Sequence, residues 1–398
     1  MSLNKNSLLN IFLIVFIDLL GFGIVIPILP YYAQTFGASA WQLGWLMTSF
    51  SLMQFLFAPV WGRVSDRYGR RPVLLGSLIG TIISMTLLGF AHTLILLFIG
   101  RLLAGIFGAS ISTAYAYIAD VTDETNRAKG MGILGAGFGL GFIFGPAIGG
   151  LLSQWGYSVP MFAAAGIALV NLIYASFKLE EPKLSEEMRA KNRSKRFDAQ
   201  ALKIAFSERT ERIAILLFFG VTLAMTQMEA VFALYLGKTF SYDARTAGML
   251  LALSGIIMVL IQGGLIGKLV KYFGESKLVR GGAFICALGL MGFALAPEPR
   301  LLVAALIIMS LGHALLHPSL SSLASRGGSH ENKGIVMGVF QSAGSLARVI
   351  GPPVAGWLFD SVSPRSPLFS AAALTFLIGV LAWVLLLGTP RNPETSKS

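Results

Sequence analysis

The sequence predicts an all-α integral membrane protein with twelve transmembrane helices arranged as two six-helix halves, and three observations predict it. The first is composition: of 398 residues, 55% are apolar and 13% charged, about half the charged share of an ordinary soluble chain, and the mean hydropathy is +0.72. The second is patterning. A bilayer core of about 30 Å takes roughly 20 apolar residues per helical crossing, and runs of that kind recur along the chain with one long polar break in the middle. The third is duplication. Gly62-Arg-Val-Ser-Asp-Arg-Tyr-Gly69 lines up with Gly267-Lys-Leu-Val-Lys-Tyr-Phe-Gly274 at a displacement of 205, and Gly145-Pro-Ala-Ile-Gly-Gly150 with Gly351-Pro-Pro-Val-Ala-Gly356 at 206. No room is left for a large soluble domain, and a single cysteine, Cys286, excludes an intramolecular disulfide.

Taken in order, the first run, 8 to 30, carries Asp18 and lacks both a strong basic leading segment and a convincing small-residue cleavage site, so it reads as a retained helix. Runs at 41 to 61 and 73 to 92 flank a charged loop from Gly62 to Pro72. The fourth run, 94 to 118, contains Arg101 and leads to Asp120; the fifth, 131 to 152, is glycine-rich; the sixth, 158 to 178, completes an amino-terminal bundle over 1–178. Residues 179–211, including Arg189, Lys191, Arg193, Lys195 and Arg196, read as a cytoplasmic linker. A carboxy-terminal bundle over 212–398 follows, with runs at 212 to 236, 246 to 267, 278 to 296, 300 to 323, 334 to 358 and 367 to 388. With an even number of crossings, one side carries 25 of the 31 Lys and Arg residues and the other only Lys238, Arg245, Arg300 and Arg365. The positive-inside rule therefore expects both termini in the cytoplasm. The net charge of +12 is then topological, and no nucleic-acid partner is expected.

Ionisable groups inside a bilayer cost about 2.5–3.5 kcal/mol each on insertion scales and usually face a cavity, so they are the first functional candidates. Here they are Asp18 and Arg101 in the first half and Glu229, His313, His317 and Arg348 in the second. Asp18 reads as a protonation site, with Arg101, Glu229 and the histidines as proton-coupling candidates and Arg348 as the buried charge that balances Glu229. A structural ion pair in each half is the plainer alternative. His313 and His317 have the i, i+4 spacing of metal ligands, but Ala314 stands where a zinc-protease pattern needs Glu, and no metal is expected. The Gly62–Pro72 loop places Arg67, Arg70 and Arg71 beside Asp66, with turn glycines Gly62 and Gly69, and Asp120 is available as a second acid: a latch between helices. In the fifth run Gly137, Gly141, Gly145 and Gly149 form one face without side chains, joined by Pro146 and Gly150, on which another helix can close. Phe22, Phe50, Phe138, Phe142, Phe232, Tyr235 and Phe340 are the aromatic residues available to line an apolar cavity. No nucleophile and base pair, metal constellation or phosphate loop stands out, so neither an enzyme nor a cofactor is expected.

The loop Gly62-Arg-Val-Ser-Asp-Arg-Tyr-Gly-Arg-Arg-Pro72 resembles the signature loop of the major facilitator superfamily between helices 2 and 3. That resemblance implies the major facilitator fold and a cytoplasmic lock made by Asp66, Arg70 and Asp120; the second copy has Lys271 where the first has its acid. Three further stretches resemble motifs of the drug/proton antiporters within the superfamily: Asp18-Leu-Leu-Gly-Phe-Gly-Ile-Val-Ile-Pro-Ile-Leu-Pro30, Arg101-Leu-Leu-Ala-Gly-Ile-Phe-Gly108, and the glycine string of the fifth run. The first half looks closest to the tetracycline/proton antiporters, whereas the third and ninth runs lack the acids those pumps place there. The resemblance implies a monomeric, proton-coupled exporter of amphiphilic or drug-like small molecules, working by alternating access in a bacterial inner membrane. Its partners are then protons, the small-molecule substrate and the lipid bilayer. Rival expectations are an exporter of one metabolite, such as a sugar, nucleoside or siderophore, and a non-transporting receptor or scaffold.

Overall fold

Where water is absent a backbone must satisfy its own hydrogen bonds, so each apolar run is driven to helix. The computed structural model describes residues 5–108, 110–122, 124–182, 203–325 and 333–387, and among them every regular element is helical. The first run is two helices, α1 (Lys5–Val25) and α2 (Leu29–Thr35), bent by 41° at the break that holds Pro27. Then come α3 (Ala40–Tyr68) and α4 (Arg70–Gly89). The fourth run is also divided, into α5 (Leu94–Phe107) and α6 (Ser110–Val121), because Gly108 closes the first piece by bonding back to Gly105 O. Next are α7 (Glu124–Leu152), which passes through Pro146, and α8 (Ser158–Lys178).

The second half holds α9 (Arg209–Phe240), α10 (Ala244–Leu260), α11 (Ile266–Phe273), α12 (Glu275–Leu295), α13 (Pro299–Ala324), α14 (Lys333–Ser361) and α15 (Ser366–Leu385). One π-helical turn, Ile261–Leu265, joins α10 to α11 where Gly263 and Gly264 weaken the α-helical preference. Nine helices among the described residues are long and apolar enough to cross a membrane, ten with the bent pair α1 and α2. The divided fourth run and α14 account for the other two expected crossings. Most of the expected linker lies outside the described residues.

The chain forms two units. Unit 1 comprises Met1–Ala38, Trp45–Arg196 and Ser241–Gly255; unit 2 comprises Ser39–Gly44, Phe197–Phe240 and Ile256–Ser398. The first turn of α3 and most of α10 thus group away from the bundle their sequence position suggests, and small residues explain why. Within unit 2, Gly44 lies against the backbone of Pro352 and Pro353 and Gly356 against Ala40, while Asp360 accepts the Ala40 and Trp41 N–H groups at 3.3 and 2.8 Å. Within unit 1, Gly248 lies against Pro146 and Gly150, and Gly255 against Phe142 and Ile143. The bare face of α7 meets α1: Gly137 approaches Phe12 and Phe16, Gly141 approaches Leu19, and a Cβ on Gly145 would come within 2.6 Å of Gly23.

Unit 1 closes around Ile14, Leu78, Tyr117 and Ile118, with Asn171 donating to Ile14 O at 2.9 Å. Unit 2 closes around α9, where Phe232 stacks on Phe293 at 5.7 Å and Tyr235 donates to the Phe293 and Ala294 carbonyls. Phe232, Tyr235 and Phe340 are 1%, 0% and 0% exposed, so these three aromatics are core rather than cavity lining. The Phe138 side chain lies outside the described residues.

Candidate functional site

Unit 1 contains a latch built on the turn between α3 and α4. Gly69 has φ +108°, a conformation that side chains rarely adopt, and it turns the chain so that Arg70 starts α4 buried, at 4% exposure. Its guanidinium bridges two acids: Nη1 lies 2.7 Å from Asp66 Oδ1, and Nε donates to Asp120 Oδ2 at 2.7 Å. Nη1 also donates to Ser65 Oγ. The cation is held by α3 on one side and α6 on the other.

Sequence reading missed the third acid. Glu181, just beyond α8, receives the N–H groups of Arg70 and Arg71 at 2.6 and 2.8 Å, a carboxylate on the positive end of α4. Arg71 extends to Ser176 O at 2.6 Å, and Tyr117 OH donates to the neighbouring Glu180 O at 3.0 Å. The signal available in the sequence was an acidic pair, Glu180-Glu181, immediately after the run that ends at Lys178. Arg67 is not brought into this network; its guanidinium lies 5.3 Å over the Tyr68 ring. Gly62 faces open space.

A second site in unit 1 centres on Arg101. The side chain is 6% exposed and its guanidinium carbon Cζ lies over the Phe50 ring, 4.5 Å from the centroid. Gly105 explains this placement: four residues on from Arg101, without a Cβ, it lets α5 press against the Phe50 carbonyl and the Met53 Cβ of α3. Trp61 Nε1 bonding to Ile106 O and Gln54 Nε2 to Gly108 O, at 3.1 Å, hold the same contact. Phe50 in turn lies 5.2 Å from Phe22, which meets Phe142 edge-on at 6.3 Å. Asp18, half-buried, sits four residues before Phe22 on α1, yet it is not an ion-pair partner of Arg101.

In unit 2, Glu229 opens onto accessible surface from α9, and Arg348 of α14 is close enough to act on it electrostatically without a direct ion pair. Arg348 Nη2 donates instead to Ser345 Oγ at 3.2 Å. The same arginine acts on His317, and His317 on His313, so the four second-half candidates form one electrostatic group. His317 meets Phe218 edge-on at 5.3 Å, and Phe218 stacks on Phe340 at 3.9 Å, which fixes the imidazole against the buried core. Among the described residues no group of three or more His, Cys, Asp or Glu is placed to hold a metal.

The chain matches the profile of the Major Facilitator Superfamily over residues 11–348 and again over 264–398. It belongs to that superfamily. This facilitator is a multi-pass membrane protein, 32% identical over 390 residues to the class C tetracycline resistance protein of Escherichia coli, covering 96% of this chain and 94% of that one. It is 29% identical over 374 residues to multidrug resistance protein 2 of Bacillus subtilis (strain 168), covering 90% of each. Among solved structures it is similar to the human organic anion transporter TETRAN, with a TM-score of 0.70 and 25% identity over 96% of this chain and 100% of that one.

The facilitator's second copy of the loop keeps the turn and changes the charge. Gly274 has φ +77°, as Gly69 has its own positive φ, but Arg70's counterpart at a displacement of 205 is Glu275. That carboxylate is 5% exposed and accepts Ser322 Oγ at 2.9 Å, while Lys271, in the place of Asp66, is exposed. The duplicated turn has kept its backbone and inverted its chemistry.

Proposed function

We propose that this facilitator is a proton-coupled secondary active exporter of amphiphilic, drug-like small molecules, working by alternating access. Similarity over nearly the whole chain to tetracycline and multidrug resistance proteins carries the reading. In this reading the protein is not an enzyme, acts as a monomer in a bacterial inner membrane, and has both termini in the cytoplasm, as the basic loops favour. Asp18 is the coupling carboxylate. Protonated, it is neutral and stable in a buried setting; deprotonated, it attracts a cationic substrate, so proton and substrate favour opposite steps of one cycle. Glu229, with Arg348 and the imidazoles of His317 and His313 in electrostatic reach, supplies a second protonation group in the other half.

The test is substrate-induced proton release from energised inside-out vesicles, with lipophilic cations, tetracyclines and sugars as the panel. Drugs should collapse the pH gradient in the wild type and leave it intact with Asp18→Asn. Full proton-driven export by Asp18→Asn removes Asp18 from the mechanism, and a response to a single sugar alone selects the metabolite carrier.

A further inference from the structure

We propose that Arg101, stacked on Phe50, is the anchor for the acidic group of an aromatic carboxylate substrate. The proposal rests on the exporter reading and narrows its substrate class from apolar or cationic amphiphiles to those that also carry a carboxylate.

The argument starts from what a buried guanidinium requires. It carries five N–H donors, and a protein that withdraws it from water normally supplies acceptors for them. Arg70, in the same unit and of similar burial, is treated that way by Asp66, Asp120 and Ser65. Arg101 is not. Its Nε is buried without a hydrogen-bond partner, and no carboxylate among the described residues lies within ion-pair distance of it. What it has instead is a ring face, which attracts the cation without offering it a carboxylate. The ring therefore holds the cation in place, and Nε is left without an acceptor among the described residues. A planar carboxylate fits a guanidinium fork with two parallel hydrogen bonds.

The surroundings specify the rest of the ligand. Phe50 is tilted by 35° against Phe22, and Phe142, 40% exposed, meets Phe22 edge-on. A ring system attached to the carboxylate has aromatic faces and edges to pack on beside the cation. Gly105 is part of the same construction, because any side chain there would push α3 away and lift Phe50 from the guanidinium.

Rhodamine B and its ethyl ester test this, since they share one cationic ring system and differ only in the carboxylate. Binding of each to the purified full-length protein in neutral detergent is followed by fluorescence polarisation. Arg101→Gln should weaken rhodamine B by about tenfold to a hundredfold, the scale of hydrogen bonds to a charged group, and leave the ester within about twofold. Arg101→Lys should retain more of the acid's affinity than Gln does. Equal loss of both probes, or no loss of either, overturns the proposal, as does a wild type that binds only the ester. Phosphatidylglycerol displacing rhodamine B but not the ester would reassign the anchor to a lipid headgroup and overturn it as well. Should Arg101→Gln fail to fold, Phe50→Leu keeps the cation and removes its platform; it should lower the acid-to-ester affinity ratio, and an unchanged ratio counts against the proposal. Failure of the exporter reading is visible separately, as absence of pH-driven uptake of the ester into inside-out vesicles.

Discussion

Arg70 and Arg101 are two arginines of the same unit with nearly the same burial, 4% and 6% exposed, and opposite surroundings. Arg70 is met by two carboxylates at 2.7 Å and a serine hydroxyl; Arg101 is met by a phenylalanine ring, with no carboxylate in ion-pair range among the described residues and its Nε without a hydrogen-bond partner. Burial alone therefore does not say what a charge is for. A saturated charge ties together the elements that supply its partners, here α3, α4 and α6. An unsaturated one holds an energetic deficit that a ligand, a proton or a moving helix can relieve.

The largest effect that separates the two is on stability. Replacing Arg70 by Gln leaves Asp66 and Asp120 facing each other without a cation, and breaking a buried pair in this way typically costs about 3–5 kcal/mol. Asp120, with a side chain 10% exposed, should be the more damaged partner than Asp66, at 27%. Arg101→Leu removes a cation that orphans no carboxylate among the described residues, and thermal unfolding in detergent should show no loss or a small gain. Equal destabilisation by both substitutions would break the comparison.

A smaller effect tests whether the Arg70 latch depends on its third acid. Glu181→Gln keeps one acceptor for the Arg70 and Arg71 N–H groups and loses the charge, at a cost of about 0.5–1.5 kcal/mol. Gly69→Ala adds a Cβ 2.6 Å from Glu181 Oε1 at φ +108°, so it strains the turn and displaces the same carboxylate. The two changes should be non-additive, the double variant losing less than the sum in thermal unfolding. Strict additivity would place Glu181 outside the latch.

The sequence made the latch legible because most of its residues stand within one loop, where charge pattern and turn glycines can be read together, and Asp120, some fifty residues on, stood out as an acid at the end of the fourth run for the arginines to meet. Glu181 was missed because the contact is with backbone N–H groups, which leave no trace in side-chain chemistry. The stacking of Arg101 on Phe50 was illegible for a related reason: Gly105 looks like any other small residue until its closeness to the α3 backbone is known. The twelve runs foretold the helical rods, since length and hydropathy dictate them. The breaks at Gly108 and at Ile261–Leu265 were not foretold, because each lies inside a run that is apolar on both sides and its glycines look like the small residues found throughout these helices. The glycine face of α7 was visible by its spacing of four, while its partner α1 depended on tertiary packing.

The smallest effect sets the floor against which both buried arginines are measured: an exposed charge with well-formed local bonds. Asp243 lies before α10 and accepts both the Thr246 N–H, at 2.9 Å, and the Thr246 hydroxyl, at 2.7 Å. Partial burial works against the ionised carboxyl, yet the Thr246 hydrogen bonds outweigh it and hold the pKa below its ordinary value of 3.8. With the folded pKa depressed, ionised Asp243 stabilises the helix start above the ordinary carboxylate range, and that contribution disappears as pH falls through the folded pKa. Asp243→Asn preserves a capping oxygen and should cost only a few tenths of a kcal/mol at pH 7. The melting-temperature gap between wild type and variant should close on going from about pH 7 to about pH 3. A gap that holds constant across that range would mean that the cap works through hydrogen-bond geometry alone. In that case even a fully formed local network draws nothing from its charge, and the Arg70 latch would have to be re-measured with neutral isosteres at Asp66 and Asp120 before its strength is assigned to electrostatics.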